Sequence, residues 1–210
     1  ELREGLPRER CPLCRSRIRI EMLRDSVDED LALPATPKNL PVMDGLLDNI
    51  RSGLNVGAIF RTADGLGIHK LYLGGITPSP DSEAVKKTAL GAETAIGWEK
   101  INNGVKKAMA LTADGYILWA LEATPGAESL YSAGDKIPDM PLVLVVGNEV
   151  CGVDPEILKY CQQVIGIPMA GVKRSYNVAT AFGIAASYLR YCQIFSQGSE
   201  SRFPKTKLTP

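Results

Sequence analysis

Histidine is nearly absent from this sequence: its 210 residues contain one, His69. A hydrolase built on a cysteine–histidine pair would have a single base to draw on. Neither Cys151 nor Cys161 sits in a motif that would activate it, and isolated cysteines are mostly buried and inert. His69 itself stands just before a strand-like run and reads as structural. Long apolar runs are also missing. The longest, Leu142–Val146 and Val178–Ala186, fall far short of the roughly 18–20 residues that span a bilayer. The five cysteines are odd in number and scattered, which speaks against a disulfide framework and for a reducing cytoplasm. Cys11-Pro12-Leu13-Cys14 has the spacing of half a zinc site, but no second pair follows to complete four ligands, so no metal is expected. Glu1-Leu2-Arg3-Glu4 shows no signal-peptide pattern. Net charge is absent too: 24 basic residues balance 24 acidic ones, which argues against nucleic-acid binding by bulk electrostatics alone.

What charge there is lies unevenly. Residues 1–24 hold seven arginines (3, 8, 10, 15, 17, 19 and 24) against four glutamates, and the end of the chain holds Arg190, Arg202, Lys205 and Lys207 against Glu200. Pro7, Pro12, Pro34 and Pro37 and the acidic stretch from Asp25 to Asp30 mark residues 1–38 as an arm, with a short helix expected over Ile18–Arg24. The expected organisation is a basic arm (1–38), one folded domain (39–195) and a basic tail (196–210). Membrane association is not expected.

From residue 40 the pattern is regular. After a short apolar stretch at Leu40–Met43, strand-like runs at Lys70–Gly74, Thr94–Trp98, Tyr116–Leu121, Leu142–Val146 and Val164–Ile167 alternate with helical segments. Those helices are expected at Val56–Leu66, Glu83–Leu90, Asn103–Ala113, Pro155–Tyr160 and Asn177–Phe195. Leu142-Val143-Leu144-Val145-Val146 is continuously apolar and β-branched, as a parallel strand buried on both faces requires. Asp154 followed by Pro155 is a helix start. Alternation with short links implies an α/β fold with a parallel sheet flanked by helices.

Three segments carry residues that a core does not ask for. The first, Asn55 to Asp64, places Asn55 where a helix cap would sit and Arg61 within an otherwise apolar helix. The second, Gly147-Asn148-Glu149-Val150-Cys151-Gly152, follows the buried strand, where α/β folds place ligands. Glu149 is suited to orienting a helix N-terminus or to pairing with Arg61. No Lys-Ser/Thr follows the second glycine, so this is not a phosphate loop, and Gly65-Leu66-Gly67 does not extend to a dinucleotide fingerprint. The third runs from Ile167-Pro168-Met169 through the adjacent cations Lys173 and Arg174 to Ser175-Tyr176-Asn177, which opens a helix whose N-terminus favours anions.

In order and spacing, these segments resemble the three signature motifs of the SpoU-type, or TrmH-like, RNA ribose methyltransferases of the SPOUT superfamily. The resemblance covers residues 40–192. It implies a C-terminal deep trefoil knot, which general rules of chain threading would never propose. It implies S-adenosylmethionine as cofactor, received by Leu121, Gly147, Ile167 and Met169 with Ser175 and Tyr176 closing the pocket. Asn55, Arg61, Glu149, Ser175 and Asn177 become the catalytic set, with Arg61 either the base or a clamp on the target phosphate. Arg61, Lys173 and Arg174 become contacts to RNA. A homodimer is implied, with tRNA or rRNA as substrate; a 2′-hydroxyl requirement disfavours DNA. Two departures stand out. Tyr176 replaces the usual leucine, and Val150 a usual glycine, so a left-handed backbone at 150 would be strained. A knotted methyltransferase acting on a base and a non-catalytic cofactor- and RNA-binding protein are the competing readings; the presence of both Arg61 and Asn177 favours ribose chemistry.

Overall fold

Strand order follows from which runs are apolar on both sides. In a computed structural model of the protein, which describes residues 41–137 and 139–196, seven strands form one parallel sheet in the order β3-β2-β1-β6-β4-β7-β5. They are β1 (Met43–Asp48), β2 (Lys70–Gly74), β3 (Gly97–Ile101), β4 (Ile117–Leu121), β5 (Glu128–Ser129), β6 (Leu142–Val146) and β7 (Gln163–Gly166). The helices are α1 (Gly53–Gly65), α2 (Glu83–Ala89), α3 (Ala92–Ala95), α4 (Gly104–Ala113), α5 (Leu130–Ala133), α6 (Pro155–Leu158) and α7 (Val178–Ser196). The expected arm helix, the Cys11–Cys14 pair and the tail beyond 196 lie outside the described residues. Among the described residues no helix is long and apolar enough to cross a membrane.

The central strand β6 shows why the sheet has two covered faces. Its Leu142, Leu144 and Val146 pack into one apolar cluster with Phe60 of α1, Val85 of α2 and Phe182 of α7. Its Val143 and Val145 face the other cluster, with Leu111 of α4 and Ile157 of α6. A run buried on both sides has no polar alternation to show, as the sequence indicated. β6 lies between β1 and β4, with Val146 level with Leu47 on one side and Leu121 on the other. The carboxyl ends of these three strands therefore finish together.

Two strands differ from expectation. The first strand begins at Met43, where the apolar stretch ends, and its pattern is hidden because it contains Asp44 and Asp48, both buried. Buried carboxylates are rare without partners, and both have them. Asp44 accepts from Tyr72 Oη and from His69 Nδ1, each at 3.2 Å. Asp48 accepts from Asp154 N at 2.9 Å and Asn49 Nδ2 at 2.8 Å. Burial nevertheless holds both acids above the ordinary aspartate value. The third strand lies at Gly97–Ile101, not Thr94–Trp98, and Ala92–Ala95 form a helical turn ahead of it. It is an edge strand, largely exposed, and carries Glu99 and Lys100, so it lacks the apolar pattern of a buried strand.

Arg190 also corrects the charge map. Counted with the basic end of the chain, it is 5% exposed within α7 and so adds nothing to a surface charge there. Its guanidinium donates to the carbonyls of Leu66, Gly67 and Pro41 and to Gln193 Oε1, at 2.8–3.1 Å. It thus satisfies carbonyls that the end of α1 leaves without helical partners.

Candidate active site

The entry to α1 is built by three separate segments. Ser52, not Asn55, is the N-cap: its Oγ accepts from Asn55 N at 3.3 Å. That leaves the Asn55 amide free to reach outward. Glu149, from the loop after β6, accepts from Arg51 N at 2.9 Å and Ser52 N at 3.2 Å. A carboxylate is favoured at a helix N-terminus by its unpaired N–H groups and its dipole. Of the two roles the sequence allowed for Glu149, the structure shows the first. Burial pushes Glu149 up, but the bonds from Arg51, its own backbone, Asn55 and Ser52 outweigh it and hold the acid below the ordinary glutamate value.

The three motifs meet through two side-chain amides. Asn55 Nδ2 donates to Glu149 Oε1 at 3.0 Å, and Asn177 Nδ2 donates to Asn55 Oδ1 at 3.0 Å. Asn177 is the start of α7 as expected: its Oδ1 accepts from Ala179 N at 3.0 Å and Thr180 N at 3.3 Å. Each asparagine therefore spends one end on one neighbour and the other end on the next.

The loop after β6 is pinched at its base. Asn148 and Gly152 exchange backbone hydrogen bonds of 3.0 and 2.9 Å. A Cβ on Gly147 would come within 2.1 Å of Gly152 C and Val153 N, so no side chain fits there. The left-handed backbone is at Gly152, with φ of 77°, and Val150 does not adopt it. The strain that valine would suffer at 150 therefore does not arise.

A cavity of about 420 Å³ opens at the carboxyl ends of β4, β6 and β7. Leu121, Gly147, Ile167, Met169, Ser175 and Tyr176, the six positions expected to hold a cofactor, all line it. So do Glu149, Asn177 and Arg174. Arg61 and Lys173 do not; both are exposed. Arg61 lies further along α1, and among the described residues it makes no hydrogen bond or ion pair. His69 is held by buried Asp44, next to the first residue of β2, away from the cavity. The Cys161 thiol is pushed up to about 12 by burial, which removes it as a nucleophile.

Sequence reasoning missed Glu122 and Asn148, which also line the cavity. Asn148 fixes its own loop, donating to Asn49 O at 2.7 Å and accepting from Val150 N and Cys151 N. The signal for Glu122 was available: a lone acid directly after the apolar run Leu118-Trp119-Ala120-Leu121, at the carboxyl end of a strand.

Proteins of known sequence and structure resemble this chain. The chain is 32% identical over 137 residues to the tRNA (guanosine(18)-2′-O)-methyltransferase of Aquifex aeolicus, covering 65% of this chain and 63% of that protein. It is 30% identical over 174 residues to the 23S rRNA (guanosine-2′-O-)-methyltransferase RlmB of Vibrio parahaemolyticus, covering 82% of this chain and 66% of that one. The chain thus spans about two thirds or less of these relatives' length. Among solved structures it superposes on the TrmH/SpoU tRNA modifying enzyme of A. aeolicus with a TM-score of 0.66 and 28% identity, over 79% of this chain and 84% of the other. An AdoMet-bound rRNA methyltransferase from Sinorhizobium meliloti gives a TM-score of 0.65 at 27% identity, over 73% of this chain and 57% of the other. The model of the SpoU rRNA Methylase family matches residues 46–187, a span that includes Asn55, Glu149 and Asn177 and every residue lining the cavity. With its three motifs joined by hydrogen bonds at one rim, this chain belongs to the SpoU rRNA methylase family.

Proposed function

We propose that this protein transfers a methyl group from S-adenosylmethionine to a ribose 2′-hydroxyl of tRNA or rRNA. The observation that carries the reading is the hydrogen-bonded series Asn177–Asn55–Glu149 at the rim of the cavity. The residues present fit the cofactor. The volume is that of a small-molecule site, and its wall is apolar at Leu121, Ile167 and Met169 with Gly147 beside them. Bound there, the cofactor supplies an activated methyl group.

The protein's own part is positioning. Leu121, Gly147, Ile167 and Met169 hold the nucleoside, and Ser175 and Tyr176 close over it. The Asn55 and Asn177 amides fix the rim on which the target nucleotide rests. Arg61 serves as the phosphate clamp. A guanidinium offers five donors and no acceptor, a form suited to bidentate phosphate binding rather than to taking a proton. Its exposure, and the lack of a carboxylate partner among the described residues, support that role. Lys173 and Arg174 add contacts to the RNA backbone.

Three further features belong to this reading. The C-terminal segment forms a deep trefoil knot, a reading supported by the likeness to TrmH/SpoU structures. The protein works as a homodimer, with Leu54 of α1 and Tyr191 of α7, both exposed large side chains, as candidates for the contact. Residues 39–195 act as the catalytic domain, with the arm and tail adding phosphate contacts.

The test is incubation with methyl-labelled S-adenosylmethionine and unmodified tRNA and rRNA, in parallel with Arg61→Ala, followed by nucleoside mass analysis. Label in a 2′-O-methyl nucleoside, lost in the variant, is the expected result. Label on a base would replace ribose by base methylation.

A further inference from the structure

Two acids line the cavity, and only one has a role so far. Glu149 is taken up by Arg51, Ser52 and Asn55. Glu122 is not. Its Oε1 accepts from Val153 N at 2.5 Å and the Ala123 backbone also bonds the carboxylate, both of them contacts within its own rim that leave lone pairs of a two-oxygen acceptor for a ligand. Its main chain is fixed by donation to Ile165 O at 2.9 Å, which ties it to β7. Its carboxyl group rests against Gly152, where an added Cβ would lie 2.7 Å from Oε1 and 3.0 Å from Oε2. A side chain at 152 would displace it, so the glycine makes room for the acid. The outcome is a fixed acceptor beside the apolar wall of Leu121 and Ile167.

A fixed acceptor selects a donor. Within a nucleoside, the ribose cis-diol offers two O–H groups at one edge. An acid at the carboxyl end of a parallel strand that takes a ribose hydroxyl is a solution α/β folds use for dinucleotides. We infer that Glu122 accepts a hydrogen bond from the ribose hydroxyls of the bound cofactor and sets the depth of the nucleoside in the cavity. This rests on S-adenosylmethionine being the cofactor. Because the same carboxylate holds Val153 N, the nucleoside and the loop 147–153 share one residue. Glu122 is therefore a specificity-determining contact as well as a brace for that loop.

The experiment is calorimetric titration of the full chain and of Glu122→Gln with S-adenosylhomocysteine and its 2′-deoxy and 3′-deoxy analogues. Glutamine retains a side-chain oxygen for Val153 N, so the loop keeps its support; melting curves check the fold. In the wild type, loss of the recognised hydroxyl should weaken binding about tenfold to a hundredfold, as expected for a hydrogen bond to a charged acceptor. In Glu122→Gln the same loss should change affinity less than about threefold, because the two removals are coupled. A wild type indifferent to both hydroxyls overturns the inference, and so does a variant that retains full discrimination. Equal weakening of all three ligands by Glu122→Gln also overturns it, since the acid would then act on another part of the molecule. If the variant does not fold, the discrimination measured in the wild type decides. A wild type that binds none of the three overturns the cofactor reading itself, a result distinct from all of these.

Discussion

Asn55 and Glu149, 94 residues apart in the chain, meet at 3.0 Å, and that contact joins the start of α1 to the loop after β6. Asn55 also accepts from Asn177, 122 residues further on. Removing Asn55 therefore separates two motifs at once while leaving Ser52 to cap the helix. Asn55→Ala should cost about 1 kcal/mol or less in stability, since water can replace exposed hydrogen bonds. It should lower kcat on RNA by roughly a hundredfold through lost positioning. Denaturant unfolding and single-turnover methyl transfer check the two halves. A stability loss matching the activity loss would make the residue merely structural.

Neither Arg61 nor Asn55 lines the cavity, but Asn55 bonds two residues that do, Glu149 and Asn177, and among the described residues Arg61 bonds none. Arg61→Ala should leave the affinity for S-adenosylhomocysteine unchanged within about twofold while abolishing methyl transfer, as expected of a group acting only on the RNA. Arg61→Lys should recover little, because an ammonium cannot reproduce a bidentate grip. Titration calorimetry and methyl-transfer assays separate these outcomes. Loss of cofactor affinity in the alanine variant would draw Arg61 into the pocket and contradict the division.

The two cavity acids should titrate in opposite directions from the ordinary glutamate value of 4.5. Burial raises Glu122, and its bonds from Val153 and Ala123 only partly offset that. Glu149 is lowered, because its hydrogen bonds outweigh burial. Glu149 thus contributes stability above pH 4.5 that disappears as pH falls through its lower folded value. For Glu122 the sign is reversed: stability is full below 4.5 and is lost as pH rises through its higher folded value. Carboxyl-carbon NMR across acidic pH should show the Glu149 midpoint below 4.5 and that of Glu122 above it. The opposite order would refute the account of both environments.

Gly147→Ala drives a methyl group into backbone, 2.1 Å from Gly152 C and Val153 N. Backbone cannot swing aside as a long side chain does, so a cost of about 3 kcal/mol is expected. The melting temperature should drop by several degrees and cofactor binding should weaken sharply. A stable variant with normal affinity would show that the loop can open without penalty.

Arg190→Met should cost at least about 2 kcal/mol, because the carbonyls of Leu66, Gly67 and Pro41 lose a buried donor. The urea midpoint should fall with an unchanged slope. A neutral effect would mean that water reaches those carbonyls.

The amino-acid sequence by itself determined the class of fold and named most of the residues that the structure brings to the candidate site. Leu142–Val146 announced a doubly buried strand, because a strand covered on both faces must be apolar throughout. The three motif segments are local runs of residues, readable without knowing where the chain goes. What only the tertiary structure decided depends on partners distant in the chain. Asp44 and Asp48 lie in a buried strand because Tyr72, His69 and the Asp154 backbone supply their hydrogen bonds. Arg190 lies in the core, not among the exposed charges, because the end of α1 presents carbonyls to it. Asn55 gave up the cap to Ser52 and was free to join Asn177 to Glu149. Composition and periodicity record how a residue relates to its neighbours in the chain. A polar group's place in the interior is set by which donors and acceptors folding brings to it, and that is settled only when the strands are assembled.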